Sequence, residues 1–319
     1  MKIILRNKYT IENGLIRLTL VDSIDGVAYK CSSTFSNIDP IENLNIKKTD
    51  KIQIVDTIFG ENYQSTIFNG IVWGRDKGYK NNTIDLTCKE RTVYLENSED
   101  EYLFGKGTAD ERIKQIAKDW NIPLGKIPNT GVKLEKKLEK GNLLSIIRKF
   151  LKETVEKDGK MYFLRMEDKL NMYELGSNTK VYNLEVFMVD AKETNSLEGA
   201  VTQVKVLGKS KDEKHKTPVL GTFDKDKNKI GTLQRLKQDD KIKNKKDAEK
   251  AAKAMFSTGE ETIHFTGAVD INVIRAGDKV RLYGKEYYVY DVTHNRLPHA
   301  TMSINAGTKD YIRRKFYSD

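Results

Sequence analysis

Residues 83–120 read TIDLTCKERTVYLENSEDEYLFGKGTADERIKQIAKDW, and the pattern changes kind part-way through. At the start, Ile84, Leu86 and Cys88 alternate with Thr83, Asp85, Thr87 and Lys89. A period of two places the apolar residues on one face of a strand and the polar ones on the other. From Thr108 the period becomes helical. Thr108-Ala109-Asp110-Glu111 has the form of a capping box, in which the threonine serves the first turn and the glutamate reaches back. Ile113, Ile116, Ala117 and Trp120 then recur along one side, and Pro123 closes the segment. A β region therefore ends here and a mixed region begins.

The strand pattern extends toward the N-terminus. Ile52 and Ile54 alternate with Lys51 and Gln53, and Ile16, Leu18 and Leu20 with Arg17 and Thr19. Turn signals fall between them at Asn13-Gly14, Asp25-Gly26, Asn69-Gly70 and Lys77-Gly78. Short strands with frequent turns predict an antiparallel barrel or sandwich. On the C-terminal side a second helix is expected from about Leu143 to Glu156, with Leu143, Ile147, Phe150 and Thr154 on its apolar side and Asp158-Gly159 at its end. Met161 to Met166 and Leu170 to Leu175 read as a hairpin.

Strands return from about residue 179. Val204 and Val206 alternate with Gln203 and Lys205, and Val280 to Leu282, Tyr287 to Val292 and Thr301 to Asn305 follow. One helix interrupts them at about 245–256, with Asn244 as N-cap, Asp247 at the third helical position, and Ala248, Ala251, Ala252 and Met255 as a narrow face. The expected fold is mainly β with an α+β insert: a first β-barrel domain at 1–98, a helix–helix–hairpin domain at 99–178, and a second β-barrel domain at 179–319.

Composition bounds the function. The chain has 319 residues, 15 Tyr and 11 Phe, enough aromatic residues for real cores and too many for a disordered chain. No stretch approaches the roughly 18–20 apolar residues of a membrane-spanning helix. The opening MKIILRNKYT lacks the apolar run of a secretory signal, so synthesis in the cytoplasm is expected. Cys31 and Cys88 are too few for a disulfide framework, and Cys88 falls on an apolar face, as a small buried hydrophobe would.

The net charge is +10, and it is uneven. Between Lys205 and Lys253 sixteen Lys or Arg stand against eight Asp or Glu. Within this stretch Gly208 to Lys229 carries Lys209, Lys211, Lys214, Lys216, Lys225, Lys227 and Lys229 among few apolar residues. It reads either as a solvated loop between two strands or as a docking surface for an acidic partner or polyanion.

Catalytic, cofactor-binding and metal-ligating residues are not expected. The chain has no GxSxG elbow, no phosphate-binding GxxxxGK[ST], no GxGxxG after a strand, no HExxH and no CxxC. Gly105-Lys106-Gly107 lacks the rest of a phosphate loop. His294 and His299 have no Cys or Glu at ligand spacing, so neither is expected to hold zinc, and replacing both with Asn is expected to cost no more than about 1 kcal/mol. The acidic run Glu99, Asp100, Glu101 reads as a solvated linker. Tyr287, Tyr288 and Tyr290 divide between the two faces of one strand, so packing explains them without a nucleobase.

Several segments taken in order resemble one family. CKERTVYLENSEDEYLF at 88–104 is followed by GTADERIKQIAKDWNIPLG at 107–125 and by GNLLSIIRKFLKETVEKDGKMYFLRMEDKLNMYELG at 141–176. Then come VTQVKVLGKS at 201–210, IGTLQRL at 230–236, IRAGDKVRL at 274–282, YYVYDVTHN at 287–295 and HATMSI at 299–304. This order resembles the baseplate hub proteins of contractile phage tails and tailocins, the late-control-D or PBSX-type tail hubs. The resemblance implies a homotrimer that is structural rather than enzymatic. Each protomer would supply two β-barrel tube domains to a pseudo-hexameric ring joining a six-fold tail tube to a three-fold central spike. The implied partners are the tail tube protein, the central spike protein, the tape measure protein and baseplate wedge or LysM-type proteins. DNA would pass through the lumen in a genome-carrying particle, and no membrane anchoring is implied. The site of assembly would be the baseplate of a virion tail or tailocin. No needle repeat or peptidoglycan hydrolase is read after the last strand, so the spike tip or cell-wall enzyme is expected on another chain. The rival classes are a basic β-barrel that binds nucleic acid and, behind it, a cell-wall hydrolase.

Overall fold

The alternation at 83–89 becomes a strand because its apolar face meets a core. A computed structural model describes residues 1–210, 215–240 and 242–318. The first β region comprises β1 (Lys2–Leu5), β2 (Tyr9–Thr10), β3 (Leu15–Ser23), β4 (Lys30–Ser36), β5 (Lys51–Thr57), β6 (Gln64–Gly78) and β7 (Thr83–Lys89). Two short helices, α1 (Asp39–Asn43) and α2 (Val93–Asn97), follow β4 and β7. Strand β4 pairs antiparallel with β7 so that Cys31 lies opposite Cys88. Both thiols are free and fully buried, as the apolar parity of Cys88 predicted. The inward residues of these strands, with Tyr29, Phe35 and Phe68, form one core. Each large apolar side chain so buried contributes about 1.5–3 kcal/mol.

The insert comprises β8 (Glu99–Phe104), β9 (Gly107–Thr108), α3 (Ala109–Asp119), β10 (Lys133–Leu134), β11 (Lys137–Asn142), α4 (Leu143–Asp158), β12 (Tyr162–Met166) and β13 (Leu170–Glu174). Helix α3 starts where the capping box places it, and Glu111 Oε2 accepts from the Thr108 amide at 2.9 Å. Helix α4 starts at Asn142, whose side chain accepts from Ser145 N–H at 3.1 Å, and stops at Gly159, which takes the left-handed φ of 77°. The acidic run at 99–101 is not a linker. It begins β8, because Tyr102 and Phe104 bury on one side and the strand pairs with β11, with Lys140 opposite Glu101. Arg112 is buried against the rings of Phe104 and Phe150, 5.3 and 4.8 Å from their centroids. It donates to the carbonyls of Gly105 and Glu135.

The return region comprises β14 (Met188–Ser196), β15 (Gln203–Leu207), β16 (Val219–Asp224), α5 (Lys227–Ile230), β17 (Gln234–Gln238), α6 (Lys245–Met255), β18 (Glu260–Gly267), β19 (Lys279–Leu282), β20 (Lys285–Leu297), β21 (Thr301–Gly307) and α7 (Lys309–Tyr317). The mainly-β class with a helix-and-hairpin insert stands. The two β regions do not close separately, however. They share one sheet of order β14-β18-β21-β20-β3-β4-β7-β6-β5-β1-β2, with β19 attached to β20. The join is β3, which pairs with β4 along one edge and with β20 along the other, Leu20 lying opposite His294. The paired order has two ends, at β14 and β2.

The chain forms two compact units, one of Met1–Lys192 with Ile263–Ala306, the other of Glu193–Thr262 with Gly307–Asp319. In the second unit β15 pairs antiparallel with β16 and parallel with β17. Ala248 and Ala252 of α6 pack with Val204 and Val206, the small residues letting the helix approach closely. Asn244 caps α6 by accepting from Asp247 N–H at 2.9 Å. Helix α7, which carries Lys309, Arg313, Arg314 and Lys315, buries Tyr311, Ile312 and Tyr317. Among the described residues no helix is long and apolar enough to cross a membrane.

Candidate functional site

Three stretches distant in sequence converge on a cleft of about 360 Å³. The first β region supplies Asn69 and Glu90, the insert Arg165 and Asp168, and the return region Asn272 and Arg275. Arg275 pairs with Asp22 at 2.5 Å and lies over the Tyr29 ring, 3.7 Å from its centroid. Arg165 reaches out of β12 to Asp278 at 2.7 Å and to the Ala276 carbonyl at 2.9 Å. Asp278 also accepts from the Arg275 amide, at 2.9 Å. At the rim Asn69 donates to Asp168 at 3.0 Å. The insert is thus fastened to both β regions by charge-assisted bonds, which are shorter and stronger than neutral ones.

Glu90 is 2% exposed, and its Oε2 accepts from the Tyr29 amide at 3.2 Å. Burial pushes its carboxyl well above the usual carboxylate range, and the charge of Asp22 adds to this while Arg275 opposes it. Folding therefore favours the protonated form. That contribution is fully present below the ordinary carboxylate range and is lost as pH rises through the raised value. Glu90→Gln copies the protonated form. Wild-type stability is therefore expected to fall relative to this variant as pH rises above the ordinary carboxylate range, about pH 4, read from urea midpoints. Parallel profiles would show that Glu90 ionises in the folded protein as it does in the unfolded chain.

A second ionic network lies beside the β3–β20 join. His294 is fully buried, with Nδ1 2.5 Å from Asp270 and Nε2 2.8 Å from the Ile274 carbonyl. Arg296 bridges Asp270 and Asp56, the latter on β5. Asn272 accepts from the Phe59 amide at 2.9 Å and donates to the Thr57 carbonyl at 2.8 Å. The expected tolerance of His294 to replacement is therefore corrected. Both of its ring nitrogens are committed inside the core, whereas His299 is exposed. Among the described residues no group of three or more His, Cys, Asp or Glu is placed to hold a metal ion. In both networks the aspartates serve guanidinium, imidazole or amide groups. The chemistry they perform is fastening strands.

The basic segment is placed differently from its sequence reading. Lys211 and Lys214 lie outside the described residues. Lys209 and Lys216 are exposed near the end of the β15–β16 pair where Leu207 faces Val219. Lys225, Lys227 and Lys229 cluster in and beside α5, past the opposite end where Gln203 faces Asp224. A five-residue strand separates the two groups by roughly 15 Å. The Gly208–Lys229 stretch is also not all loop, because Val219–Asp224 pairs with β15.

The sequence of residues 18–306 matches the model of the YQBQ-like family. The chain belongs to that family. A relative, phage-like element PBSX protein XkdQ of Bacillus subtilis (strain 168), is 31% identical over 164 residues, half of this chain and half of that one. The match thus spans about half the length of the curated relative. The YQBQ-like fold is shared with solved tail proteins. The 43 kDa tail protein of prophage MuSo2 from Shewanella oneidensis superposes with a TM-score of 0.66 over 97% of this chain and 98% of that one, at 11% identity. The E. coli c3393 protein is described as a type VI secretion component with structural similarity to T4 bacteriophage tail proteins gp27 and gp5. It gives 0.53 over 96% of this chain and 76% of that one, at 8% identity. This YQBQ-like chain has a fold that it shares with phage tail proteins.

The sequence did not single out Arg275, Asp22, Glu90, Arg165, Asp270 or Arg296. Asp22, Arg165 and Arg296 lie on three different strands and Glu90, Asp270 and Arg275 in connections between strands, so no local pattern marks the set.

Proposed function

We propose that this protein is the structural baseplate hub of a contractile tail, phage or tailocin. In this reading it is a homotrimer that adapts a six-fold tail tube to a three-fold central spike. The observation that carries the reading is the fold likeness to a prophage tail protein over nearly the whole of both chains. The likeness to a secretion component itself compared with T4 gp27 and gp5 favours a place near the spike. Residues 1–98 and 179–319 would furnish the two tube domains and 99–178 a domain facing wedge or LysM-type neighbours. Tail tube, central spike and tape measure proteins complete the partner set. The lysines at 209–229 would meet an acidic partner. The role is mechanical, and no reaction is assigned to it. Synthesis would be cytoplasmic and assembly in the particle's baseplate.

A ring of this kind makes heterologous contacts, so each protomer uses two different flanks and the ring closes when the rotation allows. Closure would also cover the open sheet ends at β14 and β2, which are otherwise templates for unwanted pairing. Counting copies per purified particle by quantitative mass spectrometry tests this. Three are expected, and six or twelve would mean that each chain fills only one ring position, which defeats the adaptor mechanism.

A further inference from the structure

Trp73 is brought to the surface by a break in strand pairing. In β6 the register against β7 runs from Val72 opposite Cys88 directly to Gly74 opposite Thr87, so Trp73 is the extra residue of a β-bulge. Bulges re-aim side chains in this way. The indole is 36% exposed and stands edge-on to Tyr94 of α2, which is 40% exposed, with ring centroids 6.2 Å apart. Lys89 Nζ lies over the indole, 5.1 Å from its centroid.

The charge continues across the sheet. Lys30 of β4 is directly opposite Lys89, and Ile71 stands between Lys89 and Lys51 of β5. Each of these lysines neighbours a buried residue in its strand, so all three share the face turned away from the core. Among the described residues no carboxylate forms a salt bridge with Lys30, Lys51 or Lys89. Like charges directly opposed across strands destabilise a sheet, and an exposed tryptophan–tyrosine pair gains nothing from water. Both are explained by a surface built to be covered. Tryptophan and tyrosine are also the residues that most often anchor protein interfaces.

We propose that this face docks an acidic polypeptide segment of a partner protein, with carboxylates meeting Lys30, Lys51 and Lys89 and an apolar side chain lodged against Trp73 and Tyr94. The three lysines select an anion, and the aromatic pair adds a demand for apolar surface. Lys89 occupies a face of the indole on which a nucleobase would stack, which favours a peptide over single-stranded nucleic acid. The surface uses no residue of the basic stretch at 205–253 and does not depend on the hub reading.

The chain has two tryptophans, so Trp120→Phe leaves Trp73 as the sole indole reporter in the full-length protein. Titration with a synthetic (Glu-Glu-Leu)4 peptide is expected to change Trp73 emission saturably. The double variant Lys30→Glu/Lys51→Glu is expected to weaken binding more than about tenfold. So is Trp73→Ala, read by anisotropy of labelled peptide. Unchanged circular dichroism and urea midpoints keep the lysine variants interpretable, since both side chains are exposed. Three results would overturn the proposal: no saturable response, equal affinity for a glutamate-only peptide of the same charge, or tighter binding of oligo(dT) than of the peptide.

Discussion

Replacing Asp270 with alanine is expected to destabilise the protein by about 3–5 kcal/mol, because it takes the carboxylate from a fully buried imidazole and one of two carboxylates from a half-buried guanidinium. The Asp270 side chain is fully buried and serves His294 with one oxygen and Arg296 with the other. Arg296 would keep Asp56, but His294 would keep only the Ile274 carbonyl. Asp270→Asn preserves shape and one acceptor and should fall between wild type and the alanine variant. His294→Asn should also be costly, unlike the same change at exposed His299. Urea unfolding checks this through a lowered midpoint at an unchanged slope. A loss below about 1 kcal/mol for Asp270→Ala would show that the network is relaxed by solvent and holds little together.

The second large effect is expected at Gly277. Its φ of +92° is a region that side chains rarely adopt, and a Cβ there would lie 2.2 Å from Phe163 Cζ. Phe163 cannot easily withdraw, since it is buried on β12 beneath the Arg165 guanidinium, whose carbon is 5.2 Å from the ring centroid. Backbone strain of about 1–3 kcal/mol and overpacking of about 1–3 kcal/mol together predict a loss of about 4 kcal/mol for Gly277→Ala. The steric part can be separated. In the Gly277→Ala/Phe163→Ala double variant the two losses should add to less than their sum, because the cavity of one accepts the methyl of the other. Strict additivity would show that Phe163 is not what the methyl meets.

The elements legible in the sequence are those whose causes are local. The capping box at Thr108, the stripe of α4 and the Asn244 cap each lie within four residues of what they explain, and all three are in the structure. The alternation at 83–89 was equally local. The acidic start of β8 misled because its reason lies in Tyr102 and Phe104 and in a partner strand some forty residues away. Helix α7 was hidden by its basic residues, with Tyr311 and Ile312 too few to show a stripe. His294 was out of reach for another reason. Burial in β20 alternates through Tyr287 and Val289 and then shifts parity at Tyr290 and Asp291, so counting from the tyrosines places His294 on the wrong face. The ionic clusters could not be read at all, because Asp22 and Arg275, or Asp56 and Arg296, meet only once the sheet is assembled.

The pairing of β3 with β20 also carries a timing cost during synthesis. Strand β3 ends at Ser23 and its partner begins at Lys285, so the ribosome must add roughly 260 residues before that edge can be covered. At about 5–20 residues per second this leaves the edge open for on the order of 15–50 s. Throughout that interval the nascent chain offers β3 as a bare template to any other strand, including that of a neighbouring chain on the same message. The most exposed moment in the life of this protein is therefore before its translation ends, and a chaperone that shields the edge until β20 emerges should raise its soluble yield more than any change to the finished surface.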